Sequence, residues 1–143
     1  MKRLLLARHA NSPWKDANIP DHDRGLDNRG LKEASSMSKK LITREAYFDS
    51  MLTSSALRAV TTCQVIASDL GFNMDNIEIN KNMYGASCEE LKQIVVQTDN
   101  RVGSLALFGH NPTFHTLSEF LYREAILKFP TCSMLYVIFF TKF

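Results

Sequence analysis

LLARHANS, residues 5–12, places an arginine and a histidine side by side at the end of an apolar run, where a chain leaving a buried strand ordinarily carries turn residues. Leu4 to Ala7 are all apolar and do not alternate with polar residues, the pattern of a strand covered on both faces. Ser104–Phe108 repeats it. Phe48–Thr53, a short Ile77–Ile79 and a final Met134–Phe140 complete the predicted strands.

Helical patterns fill the gaps. Asp27 caps a predicted helix to about Ile42, with Leu31, Ala34, Leu41 and Ile42 toward the core. A second runs from Ala56 to Leu70 on Leu57, Val60, Gln64, Ala67 and Leu70, with Gly71 as its stop. Ser87 and Glu90 form a capping box opening a third helix through Val96. Asn111 is expected to cap a fourth, with Pro112 at its first position and Phe114, Leu117, Phe120 and Leu121 along it. Asn11 to Leu26, with Pro13, Pro20 and Gly25, reads as a long loop, a class that is usually functional or mobile. Strands alternating with helices predict an α/β chain: one domain, residues 1–143, with a mostly parallel sheet between two helical layers.

Composition excludes more than it names. Net charge is +2, and apart from Lys39 and Lys40 the basic residues are scattered, so no nucleic-acid partner is expected. The longest apolar run, Met134–Phe140, is far too short for a membrane span, and Lys2 and Arg3 precede only a short apolar stretch, so no secretory signal is expected. Cys63, Cys88 and Cys132 are widely spaced and odd in number, which fits a reducing, cytoplasmic setting.

In such sheets ligands bind beyond the carboxyl ends of the strands. There the sequence sets Arg8 and His9 after the first strand, Ser54, Ser55 and Arg58 after the second, and Gly109, His110 and Asn111 after Ser104–Phe108. Two guanidinium groups and two imidazoles at three strand ends describe a receptor for a compact anion, and arginine's planar fork matches phosphate oxygens. Helix N-termini near Arg58 and Pro112 would add backbone donors. A neutral imidazole can attack phosphorus, so His9 is expected to be the nucleophile, with its far ring nitrogen donating to a backbone carbonyl. His110, beside the dianion, is expected to be protonated and to donate to an oxygen.

These residues carry a resemblance. LLARHANS resembles the RHG signature of the histidine phosphatase superfamily, with Ala10 in place of glycine. SSALRAVTT, with Ser54, Arg58, Ala59 and Thr62, resembles that family's S-x-x-x-R-A-x-x-T segment, and GHNP at residues 109–112 its second histidine motif. The ordered set covers nearly the whole chain. It implies a phosphoglycerate-mutase-like three-layer α/β/α sandwich, and DRGLDNRG at residues 23–30 is similar to the SixA-type phosphohistidine phosphatases. The resemblance implies His9 as the phosphorylated residue, with Arg8, Arg58 and His110 binding the phosphoryl group and Arg24 as an additional pocket arginine. No cofactor is implied.

One departure bears on substrate. Most of the family carries a carboxylate acid shortly after the third strand, yet INKNMYGA, residues 79–86, has none. An alkoxide leaving group, of pKa ~16 like water's, needs an acid, whereas imidazole's conjugate acid has a pKa of ~6.5. The expected substrate is therefore a phosphohistidine on a signalling or phosphotransfer protein, admitted by an open site, with inorganic phosphate or sulfate able to occupy the pocket. Two alternatives stay open: a phosphatase for small esters or sugar phosphates using Glu78, Glu89 or Asp16 as acid, and a non-catalytic phosphate-binding module.

The plainer readings stand beside these. Arg24 could simply pair with Asp21 or Asp23, and Ser54 and Ser55 are expected to cap the helix bearing Arg58. His22 and His115 are expected to be structural or solvated, and Trp14 packed. Cys63 and Cys88 lack an arginine six residues on and are expected to be bystanders. His9, His110 and His115 lack a carboxylate or cysteine at ligand spacing, so no metal is expected.

Overall fold

The computed structural model describes residues 1–143. Five strands, β1 (Lys2–Arg8), β2 (Ser50–Ser54), β3 (Ile77–Asn80), β4 (Ser104–Gly109) and β5 (Met134–Phe139), form one sheet in the order β3-β2-β4-β1-β5. All neighbours run parallel except β5, which is antiparallel to β1. The helices are α1 (Asn28–Thr43), α2 (Leu57–Asp69), α3 (Cys88–Val96) and α4 (Thr113–Tyr122).

Period-two alternation of apolar strands creates the two cores. Leu4, Leu6, Leu52, Leu105 and Leu107 face α3 and α4, meeting Leu91, Val95, Phe114 and Leu117. Leu5, Ala7, Met51, Ala106 and Phe108 face α1 and α2, meeting Leu41, Cys63, Ile66 and Ala67. Burying each large apolar side chain contributes about 1.5–3 kcal/mol. The architecture is the expected α/β/α sandwich, with β1, β2 and β4 delivering their carboxyl ends to one edge.

The helix phases differ from the sequence reading in instructive ways. In α1 the buried stripe is Gly30, Ala34, Ser38 and Leu41, whereas Leu31 and Ile42 are 40% and 51% exposed. Asp27 accepts from Gly30 N at 2.7 Å, and Gly30 lies so near Asn11 that a Cβ there would stand 2.2 Å from the Asn11 carbonyl oxygen. That close approach turns the small-residue stripe inward and Leu31 outward. In α2 the buried face carries Arg58, Ala59, Thr62, Cys63, Ile66 and Ala67, leaving Leu57 and Gln64 exposed, because Arg58 and Thr62 turn toward the strand ends. Phe120 in α4 is exposed, and the capping box on α3 forms as expected. Asn111 does not cap α4: its side-chain amide donates to the Phe129 carbonyl at 2.7 Å, and the Pro112 position has no side-chain cap. At the end of β4, Gly109 meets the Phe114 ring, which a Cβ would approach to 2.4 Å.

Candidate active site

Parallel register sets Arg8 opposite Gly109, and the chain continues the ladder one step further, His9 N donating to Gly109 O at 2.9 Å. His9 and His110 therefore leave adjacent strands side by side, with ring centroids 5.3 Å apart. Arg58 reaches them from the first turn of α2 and is 5% exposed.

His9 is 7% exposed, and its Nδ1 lies 2.8 Å from Ala10 O. A carbonyl only accepts, so Nδ1 donates and the neutral ring keeps its lone pair on Nε2. Burial first, then Arg58, Arg8 and Arg24, push the His9 imidazole down to about 4 against the backbone bond that opposes them. Burial followed by Arg58 and His9 pushes His110 down to about 3. His110 is thus neutral in the free protein, not protonated; a bound dianion would have to supply the charge that favours its imidazolium form. His110 Nε2 lies 2.7 Å from Ser54 Oγ.

Ala10 fits without opening the loop. It is fully buried beside Ala34 and Cys132, and its N–H donates to Thr62 Oγ1 at 2.9 Å. Thr62 in turn donates to Arg58 O at 2.7 Å, so one hydroxyl ties the His9 loop to the helix carrying Arg58.

Charge at this edge is dominated by arginine. Arg8 Nη1 donates to Phe129 O at 3.2 Å, while its Nε, like that of Arg58 and like His110 Nδ1, is buried with no hydrogen-bond partner. Buried donors are rarely left unpaired, because each costs about 1–3 kcal/mol. Three such nitrogens, with Asn111 Oδ1 also unpartnered, leave hydrogen-bonding capacity unused at one strand edge.

Two residues escaped the sequence reading as members of this edge. Asp21 sits in a short 3-10 turn, Asp21–Asp23, within the long loop. Its Oδ2 accepts from Arg58 Nη2 at 2.9 Å and from the Tyr84 hydroxyl at 2.6 Å; its backbone O accepts from Arg58 Nη1 at 2.7 Å. Arg24 Nε donates to Asp21 Oδ1 at 3.1 Å, and Arg24 Nη1 donates to Ser12 O. Arg24 therefore makes the plain ion pair with Asp21 and still lies near enough to His9 to lower it. The Tyr84 hydroxyl, Arg58 and Arg24 hold the Asp21 carboxyl well below the usual carboxylate range, so it stays ionised and positions Arg58. Asp21→Asn is expected to destabilise the fold by about 2 kcal/mol, less than the 3–5 of a fully buried pair because Asp21 is one-third exposed. Thermal unfolding checks this, and inorganic phosphate should raise the Tm of the variant more than that of the parent, since it returns negative charge to Arg58.

Other expectations moved. Ser54 accepts from Ala56 N at 3.3 Å but ends β2 and faces His110, and Ser55 Oγ lies 2.8 Å from His22 Nε2; the α2 N-terminus has no side-chain cap. His22 is thus part of the rim. His115 is hydrogen-bonded to Ile126 O, away from the two strand-end histidines. Trp14 is 59% exposed, not packed, with the Arg24 guanidinium 5.1 Å from its ring centroid. Cys63 and Cys132 are buried thiols pushed up to about 12 by desolvation. Asp16 accepts from Asn18 N, Glu89 pairs with Lys92, and Glu78 lies on edge strand β3; none of them bonds to the strand-end histidines or arginines.

The family model for the histidine phosphatase superfamily (branch 1) matches residues 4–107. An uncharacterized chloroplastic protein of Arabidopsis thaliana is 27% identical over 140 residues, 92% of this chain and 64% of its own length. The phosphoglycerate mutase of Schizosaccharomyces pombe is 35% identical over 88 residues, 57% of this chain and 42% of the mutase. The chain thus spans less than two-thirds of the length of these curated relatives. A structure named for the phosphohistidine phosphatase SixA of Agrobacterium tumefaciens superposes with a TM-score of 0.86 at 29% identity, covering 94% of this chain and 90% of the other. A protein histidine phosphatase SixA complexed with tungstate shares the fold at a TM-score of 0.83 and 21% identity, with 95% and 87% covered. With the family model covering nearly three-quarters of its residues and the motif histidines and arginines meeting at one sheet edge, the chain belongs to the histidine phosphatase superfamily.

Proposed function

We propose that this chain is a metal-independent phosphatase that removes the phosphoryl group from a phosphohistidine borne by another protein, through a phospho-His9 intermediate. The observation that carries the reading is the trio of buried, unpartnered nitrogens, Arg8 Nε, Arg58 Nε and His110 Nδ1, at the strand edge from which His9 emerges with its Nε2 lone pair free.

In the first step Nε2 of His9 attacks phosphorus as the phosphorus–nitrogen bond of the substrate breaks. The substrate ring, first protonated from solvent on its other nitrogen, takes the electron pair of the broken bond and leaves as neutral imidazole. In the second, a water oxygen bonds to phosphorus, the electron pair returns to Nε2, and the water's proton passes to solvent. Arg8, Arg58 and Arg24 neutralise the oxygens throughout, and His110, once protonated beside the dianion, donates to one of them. Asp21 is ionised and occupied by donors, so it supplies no proton to a leaving group. That supports a substrate whose leaving group needs none.

Phosphate release from a phosphohistidine protein and from an alkyl phosphate ester, compared in the same preparation, tests the substrate class. Phosphohistidine is expected to turn over at least about 100-fold faster, the lower end of what general acid catalysis contributes. Comparable ester cleavage would favour the small-ester reading, to which the similarity to phosphoglycerate mutase also leans. Phosphate binding with no turnover of either would leave a binding module.

A further inference from the structure

Beyond the phosphoryl cradle, the rim has a chemistry of its own. The Tyr84 ring meets His110 edge-on at 5.7 Å between centroids, and His22 meets Tyr84 edge-on at 4.8 Å. The three rings form a path from the buried strand ends to the surface. The Tyr84 hydroxyl is engaged on Asp21, His22 Nε2 on Ser55 and His110 Nε2 on Ser54, while His110 Nδ1 is unpartnered. The carboxylate oxygens of Asp21 are occupied by Arg58, Tyr84 and Arg24. What the rim offers an incoming group is therefore ring surface, with Tyr84 37% exposed and the His22 side chain 42% exposed. A sugar or glycerate would need hydroxyl partners here, and at the exposed rim the Tyr84 hydroxyl and His22 Nε2 are already committed to Asp21 and Ser55. A flat heterocycle needs only faces and edges, which aromatic pairs reward at centroid separations of 4.5–7 Å.

We propose that His22 and Tyr84, packed edge to face, form an aromatic wall at the rim against which the leaving ring stacks, so that the site selects phosphoryl groups carried on the imidazole of a histidine side chain. The proposal deepens the phosphohistidine reading and rests on it. His22 is the specificity element, since Tyr84 also holds Asp21 and through it Arg58. The polar bonds that tie the two rings to Ser55 and Asp21 fix their orientation in advance, so little side-chain freedom is lost when a ring enters.

The test compares a phosphohistidine peptide with phosphoramidate, which carries the same phosphorus–nitrogen bond and no ring. In His22→Ala the ratio of kcat/KM for the peptide over phosphoramidate is expected to fall about 10-fold, through KM, a difference of about 1.4 kcal/mol. His22→Phe, which restores a ring but no titratable nitrogen, is expected to recover most of it. Because both substrates are measured on one preparation, partial misfolding lowers both rates and cancels in the ratio. An unmoved ratio in His22→Ala, or His22→Phe behaving like alanine, overturns the aromatic wall while peptide turnover stands. Failure of the unaltered protein to turn over the peptide overturns the phosphohistidine reading and the aromatic wall with it.

Discussion

His9→Ala is expected to lower turnover by about 10⁴- to 10⁶-fold, the loss seen when a covalent nucleophile is removed from a site whose other parts remain. The size follows from the division of labour at the strand edge. Arg8, Arg58 and His110 can still bind a phosphoryl group in the variant, but the Nε2 lone pair that the Ala10 carbonyl fixes in place is gone. Binding and chemistry should therefore separate. Inorganic phosphate affinity, measured by calorimetry, is expected to stay within about 10-fold of the parent, and the binding heat also reports that the variant is folded. A residual rate within 10-fold of the parent would mean that water attacks phosphorus directly and that His9 only positions it.

Acid is expected to destabilise the protein before its carboxylates titrate. His9 and His110 are held neutral in the fold, down to about 4 and about 3, mainly by burial. In the unfolded chain each takes a proton near ~6.5. Depressed folded values mean that the stabilisation is complete above pH ~6.5 and is lost as pH falls, because the unfolded chain binds protons the fold refuses. Each histidine contributes a slope of up to about 1.4 kcal/mol per pH unit, so the pair removes about 3–5 kcal/mol between pH ~6.5 and ~4.5, a large part of a domain's ~5–15. Chemical denaturation across that window measures it. His110→Gln should make the pH dependence shallower, and saturating phosphate should do the same by letting His110 accept its proton in the folded state. Stability that stays flat from pH 7 to 5 would mean that solvent reaches both rings.

The fold was readable because its signals are local. Unbroken apolar runs at Leu4–Ala7 and Ser104–Phe108 mark doubly covered strands, the Ser87 and Glu90 capping box marks a helix start, and alternation of the two element types implies the parallel sheet. Arg8, His9, Arg58 and His110 were legible because strand ends in such a sheet share an edge. Asp21 and Tyr84 were not: they lie 63 residues apart and acquire meaning only when the loop before α1 folds against Arg58. Helix faces were misjudged where small or polar residues face inward. Gly30, Ala34 and Ser38 in α1, and Arg58 and Thr62 in α2, are buried by a close loop contact and by the site itself, which a hydrophobicity pattern does not register. Asn111 has the composition of a helix cap, yet its amide is drawn to the Phe129 carbonyl, the same acceptor that holds Arg8.

The central claim is that phosphorus passes through His9, and rapid-quench trapping addresses it most directly. The protein is mixed with a radiolabelled phosphohistidine peptide, quenched within milliseconds, and the label is located by mass spectrometry. The expected result is one acid-labile, alkali-stable phosphoryl group per chain on Nε2 of His9, formed and lost at rates that account for steady-state turnover. Label on another residue, or turnover with no labelled protein at any time point, would contradict it.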